Sequence, residues 1–177
     1  MPTITEARPS KAPFAPFGGQ SRRSISKTRH MWFQQCALRA WFGEHDPLPQ
    51  TPAAPGSIVG MGIEAGILAR RLIPDGVLID CDFRDYQRVL DWTKSLMADP
   101  AVPAIFEAGF AADRVLIRVD ILERMDGDKW RLCEVKSSTK VKDEHLIEVA
   151  LQVYVLQRCG VELGDVQLVL IDPDYVR

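Results

Sequence analysis

The sequence predicts an α/β domain with a mixed central sheet of about four to five strands flanked by helices. After residue 85 an amphipathic helical segment is followed by three runs rich in β-forming residues, a long helical segment and a final apolar run. A chain of 177 residues is long enough to build one domain around a sizeable core. A strand meander followed by a helix and one more strand is typical of such a mixed sheet.

The chain divides into a flexible basic arm at residues 1–23 and a single domain at residues 24–177. The arm is rich in proline and contains Gly18-Gly19, which favours a flexible segment. The first thirty residues carry six Lys or Arg side chains and one Glu, and the whole chain has a net charge of -2. A basic arm on an acidic body is compatible with holding a polyanion, although short basic tails are often only solvated and disordered.

The composition argues against several classes of protein. The four cysteines lie far apart with no Cys-x-x-Cys pair, which argues against a zinc ribbon and against a disulfide scaffold. No apolar run approaches the roughly 20 residues that a membrane-spanning helix needs, and the N-terminus lacks the apolar core of a signal peptide. We therefore expect a cytoplasmic protein with no membrane partner.

Capping residues and helix breakers mark the first elements. Ser24 or Ser26 can cap a helix that runs to about Gly43. Four prolines make 44–56 a loop, and a second helix is predicted over 57–72, before a Pro-Asp-Gly turn.

The remaining elements follow from periodicity and from turn signals. A short apolar strand is predicted at 77–81, an amphipathic helix at 85–97 and the first strand of a meander at 104–110. A long helix is predicted at 143–159 and a last strand at 165–171.

The meander continues into a hairpin around which the chain is organised. Runs at 115–123 and 130–138 flank an Asp-Gly turn, which is a strong hairpin signal. Alternation along a strand turns Glu134 and Lys136 to the same side, and an antiparallel partner can bring Asp120 level with them. Isolated buried charges cost several kcal/mol each, so three of them in an apolar sheet indicate a functional site. The alternative is an ordinary salt bridge on a solvent-facing sheet.

The long C-terminal helix has apolar residues around most of its circumference, which predicts deep burial. His145, Glu148 and Gln152 recur at i, i+3 and i+7 and form one polar stripe. This stripe is either the solvent side of the helix or part of a polar site. Gln152 favours the site, because a buried glutamine among apolar neighbours needs hydrogen-bond partners.

This combination of residues resembles a known family. Asp120, then Glu134-Val135-Lys136 fourteen residues later, then Gln152 on the following helix resemble the PD-(D/E)xK nuclease superfamily in its RecB-like branch. The chain from about residue 24 to 176 is most similar to uncharacterised bacterial nucleases related to the four-cysteine exonucleases of CRISPR systems. The resemblance implies a restriction-endonuclease-like core.

The resemblance also implies roles for individual residues. Asp120 and Glu134 match the metal-binding carboxylates, and the backbone carbonyl of Val135 matches a further ligand. Lys136 matches the lysine that orients or deprotonates the attacking water and steadies the phosphate. Gln152 matches the glutamine of the fourth motif. Oxygen ligands of this kind favour Mg²⁺ or Mn²⁺.

Other positions match the family less fully. Glu64 lies where RecB-like enzymes carry a His or Glu that completes the metal shell, and Glu107 is an additional acidic candidate. The usual tyrosine four residues after the glutamine is replaced by Leu156, and Tyr154 is expected in the core. Cys36 matches the early cysteine of relatives that hold an iron–sulfur cluster, but the three late cysteines are missing. We therefore expect no cluster and a small, buried Cys36.

The resulting expectation is a metal-dependent nuclease that hydrolyses phosphodiester bonds, with DNA as substrate rather than RNA. Lys27, Arg29, Lys140 and Lys142 are candidate contacts to the phosphate backbone, with surface solvation as the alternative. A second hypothesis is a non-catalytic nucleic-acid-binding module of the same fold that acts beside a protein partner such as a helicase. A third is a structural sheet protein with an incidental ion pair.

Overall fold

The computed structural model describes residues 24–47, 54, 56–82 and 85–174. Within this part, a six-stranded mixed sheet is flanked by helices, which confirms the predicted α/β class. The predicted arm at residues 1–23 lies outside the described residues. The elements are β1 Ile25–Ser26, α1 Lys27–Gln35, α2 Ala37–His45, α3 Ile58–Arg70, β2 Val77–Leu78, α4 Tyr86–Ala98, β3 Ala104–Ala112, β4 Val115–Arg124, β5 Trp130–Val135, α5 Asp143–Arg158 and β6 Leu163–Val169.

The sheet has the strand order β2-β3-β4-β5-β6. Neighbouring strands among β3, β4 and β5 are antiparallel. At the two edges, β2 pairs in parallel with β3 and β6 pairs in parallel with β5. The short β1 pairs in parallel with the start of β4, through Ile25 to Val115 and Ser26 to Leu116. This pairing fixes the beginning of α1 beside the centre of the sheet.

The predicted hairpin is confirmed. A short 3₁₀ turn at Asp126–Asp128 joins β4 to β5, and Gly127 has the left-handed φ of 71° that such a turn favours. The second strand is shorter than predicted, because β5 ends at Val135. Lys136 still donates its backbone N–H to the carbonyl of Val169 at 2.9 Å, so its position stays tied to β6.

The main core lies between the sheet and the helices α4 and α5. Asp85 caps α4, which buries Val89, Leu90 and Thr93. The backbone N–H of Gly109 donates to the Thr93 hydroxyl at 2.9 Å. A Cβ at Gly109 would lie 2.4 Å from Cγ1 of Val89, so the close approach of α4 to β3 depends on this glycine.

The first predicted helix is in fact two helices. Ser26 caps α1 by accepting a hydrogen bond from the backbone N–H of Arg29 at 3.3 Å, but the chain is extended at Cys36, with φ -166° and ψ 122°. Cys36 is exposed, so the expectation of a buried thiol was wrong. Its exposure follows from shallow packing, because these two described helices contain no fully buried residue.

The predicted deep burial of the long helix is confirmed for Val155 and Leu156 and wrong for other residues of the same helix. In α5, Leu146 and Ile147 are exposed, whereas His145 and Gln152 of the polar stripe are buried. Tyr154 is 46% exposed rather than in the core, and its hydroxyl donates to Asp113 Oδ2 at 2.6 Å. The helix turns its polar stripe inward because the sheet offers charged partners there. Among the described residues, no helix is both long and apolar enough to cross a membrane.

Candidate active site

A cavity of about 570 Å³ lies where α1, α3 and α5 approach the strands β3, β4 and β5. Its charged lining residues are Lys27, Arg70, Glu107, Asp120, Glu134, Lys136 and Glu148. The carboxylates of Asp120 and Glu134 therefore reach the same cavity, together with Lys136. This is the convergence that the hairpin pattern predicts.

Asp120 extends from β4 toward the neighbouring strand. The register of the hairpin pairs Ile121 with Cys133, and the backbone N–H of Val135 donates to Asp120 Oδ2 at 2.8 Å. Burial and the nearby charge of Glu134 raise the pKa of Asp120 to about 7, although the Lys27 ammonium opposes this shift. Asp120 is thus a half-buried carboxyl that a cation would stabilise in its charged form.

Glu134 is the most buried acid of the site, with 1% of its surface exposed. The Lys27 ammonium lies 3.3 Å from Oε1 and 3.1 Å from Oε2, and the Lys136 ammonium lies 2.7 Å from Oε1. Gln152 donates from Nε2 to Oε2 at 2.6 Å. These partners offset the cost of burying the charge, which is several kcal/mol for an unpaired ion.

Gln152 explains the polar stripe of α5. The residue is fully buried, and its amide nitrogen holds Glu134. Its Oε1 has no hydrogen-bond partner within the described part of the chain. A buried amide of this kind fixes the orientation of its acidic partner, which is the role of a positioning residue.

Glu148 is the residue that the sequence analysis left unassigned. Its carboxylate lies 3.0 Å from the Lys27 ammonium and 2.5 Å from the Lys136 ammonium. Burial opposes ionisation, but the two lysines together lower the pKa of Glu148 to about 2. The available signal was its spacing, because Glu148 precedes Gln152 by one helical turn on the same stripe.

The two lysines of the cavity remain protonated. Burial alone would lower the pKa of Lys27 and of Lys136, but the neighbouring carboxylates raise both above the usual value. Lys27 was predicted as an outer phosphate contact, and its ammonium instead lies among the acids, with 16% of the side chain exposed. Lys136 bridges Glu134 and Glu148.

Other predicted site residues lie outside this cluster. Arg29 pairs with Glu44 of α2 at 2.7 Å, and Lys140 and Lys142 are exposed between β5 and α5. Glu64 is exposed on α3. Among the described residues, the cavity-lining members of α3 are Val59, Gly62, Ile63, Gly66 and Arg70.

Glu107 adds a fourth acidic group to the cavity, from β3. Its carboxylate pairs with Arg70 at 3.0 Å and with Arg118 at 3.5 Å. Its backbone has a left-handed φ of 60°, which costs roughly 1–2 kcal/mol for a residue with a side chain. Backbone strain of this kind is concentrated at functional sites.

The donor set fits a hard divalent cation. Asp120 and Glu134 offer carboxylate oxygens beside the backbone of Val135, and their mutual repulsion is relieved by a nearby positive charge. In the present side-chain conformations, the described residues contain no group of three or more His, Cys, Asp or Glu side chains that could hold a metal ion together. The Lys27 ammonium already lies 3.1 Å from Oε2 of Glu134, one of these carboxylates, and 3.0 Å from Oε1 of Glu148.

No family model matches the chain, and no curated protein matches it.

Proposed function

We propose that the protein is a metal-dependent nuclease that hydrolyses phosphodiester bonds of nucleic acid, with DNA as the preferred substrate. The observation that carries the proposal is the meeting of Asp120, Glu134 and Lys136 in one cavity. Asp120 lies on β4, Glu134 on the neighbouring β5, and Lys136 just after β5. Gln152 of α5 donates a hydrogen bond to Glu134.

Hydrolysis of a phosphodiester needs a nucleophile at neutral pH and a partner for the charge that builds on the phosphate. Asp120, Glu134 and the carbonyl of Val135 would hold Mg²⁺ or Mn²⁺, which when bound supplies Lewis acidity and lowers the pKa of water. Val135 also aligns Asp120 through its backbone N–H, at 2.8 Å from Oδ2.

Lys136 supplies the second positive charge. Glu134 and Glu148 raise its pKa, which favours an ammonium that would bind a phosphate oxygen and orient water. Glu134 and Glu148 hold the ammonium at 2.7 and 2.5 Å. Loss of one such preorganised group typically costs about 2.7–4 kcal/mol in the transition state.

The cavity also has room for a substrate. Its volume of about 570 Å³ lies within the roughly 300–1,000 Å³ typical of ligand sites. Gly62 and Gly66 line its α3 wall, and a Cβ at either position would meet nothing within 4 Å. A sugar-phosphate segment can therefore approach the acids along this wall.

One observation favours a second function. Lys27 and Lys136 already neutralise much of the acidic charge, as in a site that is built for structure rather than catalysis. A nucleic-acid-binding module of the same fold would keep this network and leave its ligand intact.

A cleavage assay separates the two functions. Single- and double-stranded DNA and RNA are incubated with the protein and Mg²⁺, Mn²⁺ or EDTA. We expect cleavage of DNA that EDTA abolishes and that Asp120→Asn removes while the protein stays folded. Lys129→Met is the matched control, because Lys129 is exposed and outside the cavity. Salt-sensitive binding without cleavage by any ion would instead identify the binding module.

A further inference from the structure

Lys27 occupies an unusual position for a lysine in the first turn of a helix. Its ammonium lies 3.1 Å from Glu134 Oε2 and 3.0 Å from Glu148 Oε1, with only 16% of the side chain exposed. The acids come from β5 and α5, more than a hundred residues away in the chain. Lys27 therefore belongs to the acidic cluster and not to the outer surface.

The fold holds Lys27 there from two sides. Ile25 and Ser26 form β1 against β4, and the Ile25 backbone N–H donates to the carbonyl of Arg114 at 2.8 Å. Ser26 then caps α1, so the next residue enters the cavity directly from beside the central strand β4. Unlike Arg29, whose partner Glu44 lies on the neighbouring helix, Lys27 is directed at Glu134, a candidate metal ligand, and at Glu148.

The charges of the cluster constrain what can bind. Asp120, Glu134 and Glu148 are countered by two ammonium groups, those of Lys27 and Lys136. When all five groups are ionised, the cluster has one negative charge in excess. A divalent cation added to this arrangement would give the cluster a net positive charge. The metal ion and the Lys27 ammonium would then compete for the same carboxylate oxygens of Glu134. Such crowding is strongly unfavourable where water is largely excluded.

We propose that Lys27 is a resident cation which a divalent metal ion must displace, and that a phosphate of the nucleic acid favours this exchange by binding the released ammonium. The role of the phosphate rests on the proposed nuclease function. The exchange makes the binding of metal and of nucleic acid cooperative, so the free protein binds metal weakly. Lys27 is then the residue that sets the metal affinity of the site.

The test measures Mn²⁺ affinity directly, without any cleavage. Mn²⁺ is titrated into the full chain and the free ion is followed by electron paramagnetic resonance, for the wild type, Lys27→Met and Lys129→Met. We expect Lys27→Met to bind Mn²⁺ at least about tenfold more tightly than the wild type, because a competing charge is gone. Lys129 is exposed and does not line the cavity, so the control Lys129→Met should stay within about twofold of the wild type.

A second titration adds a phosphorothioate oligodeoxynucleotide. We expect this probe to tighten Mn²⁺ binding to the wild type several-fold, and to have a smaller effect on Lys27→Met, in which nothing has to be displaced. An equal effect on the two proteins would overturn the proposed exchange.

A double variant keeps the proposal testable if Lys27→Met does not fold. Lys27→Met combined with Glu148→Gln removes one charge of each sign and leaves Asp120 and Glu134 in place. We expect this protein, too, to bind Mn²⁺ more tightly than the wild type. Equal or weaker binding in a folded Lys27 variant, or no binding to any variant at millimolar Mn²⁺, would overturn the role of Lys27.

The outcomes distinguish this inference from the proposed function. Tighter Mn²⁺ binding by Lys27→Met without cleavage by any protein would support the resident cation and reject the nuclease. Cleavage that requires Asp120, with unchanged Mn²⁺ affinity in Lys27→Met, would do the reverse.

Discussion

Helices α3 and α4 both contain 13 residues, but they pack against the sheet in different ways. The α4 helix is amphipathic and buries Val89, Leu90 and Thr93. The α3 helix is apolar along most of its length, yet it buries only Gly60 and Ala69. The comparison separates two tasks. One helix stabilises the sheet, and the other forms a wall of the cavity.

The difference has an energetic meaning. Val89 and its neighbours contribute to stability by removing apolar surface from water, about 25 cal/mol for each Å². Exposed side chains of α3, such as Ile58 with 82% of its surface exposed, contribute little to the free energy of unfolding of the isolated chain. Regions with few buried apolar contacts open more readily than the core. The acids on β4 and β5 therefore have a firm support, while the α3 wall of their cavity is less firmly held.

The largest effect is expected from the site itself. Lys136→Met should lower the rate of metal-dependent cleavage by about 10²- to 10³-fold, because it removes a preorganised charge from the transition state. Single-turnover cleavage of labelled DNA measures this loss, with Lys129→Met as control. A Lys136→Met protein that folds and cleaves at the wild-type rate would contradict the assigned role.

The next effect tests the two helices against each other. Val89→Ala in α4 should lower the free energy of unfolding by about 2 kcal/mol, because it leaves a void in the core. Ile63→Ala in α3 should cost less than about 0.5 kcal/mol, since Ile63 is 54% exposed. Urea unfolding measures both values. Equal costs would mean that another molecule covers α3 in solution.

Stability should also depend on pH through Asp120. Its pKa is 3.8 in the unfolded chain and about 7 in the fold, so the folded state binds more protons between these values. The stabilising contribution is complete below the unfolded pKa and is lost as pH rises through about 7. In EDTA, we therefore expect the stability of Asp120→Asn relative to the wild type to rise steadily from pH 4 to about pH 7 and then to level off.

Thermal unfolding at several pH values checks this trend. Asp113 is a control of opposite sign, because hydrogen bonds from Tyr154 and Arg158 lower its pKa. Its contribution is present above the unfolded pKa and is lost as pH falls. Parallel curves for the Asp120→Asn protein and the wild type would contradict the raised pKa of Asp120.

A smaller effect concerns the cavity wall. Gly66→Leu should raise helix stability by up to about 1 kcal/mol, because leucine is a better helix former and the new Cβ meets no atom within 4 Å. The longer side chain would fill the cavity, so we expect roughly tenfold slower cleavage, about 1.4 kcal/mol. Gly66→Ala should show the stability gain with little loss of rate. Undiminished cleavage by Gly66→Leu would place the substrate elsewhere.

The smallest effect is expected at Glu64. The exposed position of this residue predicts that Glu64→Ala changes unfolding and cleavage by less than about 0.5 kcal/mol each. The family resemblance instead implies a metal ligand. A large loss of Mn²⁺ affinity in this variant would show that α3 moves toward the acids when metal binds.

Much of the sheet and of the site could be predicted because their signals are local. Alternation along β4 and β5 and an Asp-Gly turn place Asp120, Glu134 and Lys136 near one another without knowledge of the rest of the chain. Gln152 was recognisable because a buried amide among apolar neighbours needs a partner.

The other members of the site depend on tertiary packing. Lys27 reaches the acids only because two residues of β1 pair with β4, and two residues are too few for a periodic signal. Glu148 joins them because α5 rotates its polar stripe toward the sheet. The sequence left open whether this stripe faces solvent or a polar site, because hydropathy does not register the ion pairs that Lys27 and Lys136 offer to it.

On most helices the apolar residues are the ones that must be kept and the polar residues can be exchanged. The orientation of α5 reverses this rule. Leu146 and Ile147 are positions that can be made hydrophilic at little cost to the fold, because they already face water. Leucine at position 148 would leave the Lys27 and Lys136 ammonium groups without this partner. Leucine at position 152 would remove the hydrogen bond to Glu134. A redesign guided by hydrophobicity alone would therefore keep Leu146 and Ile147, which can be changed, and would replace Glu148 and Gln152, which contact the site.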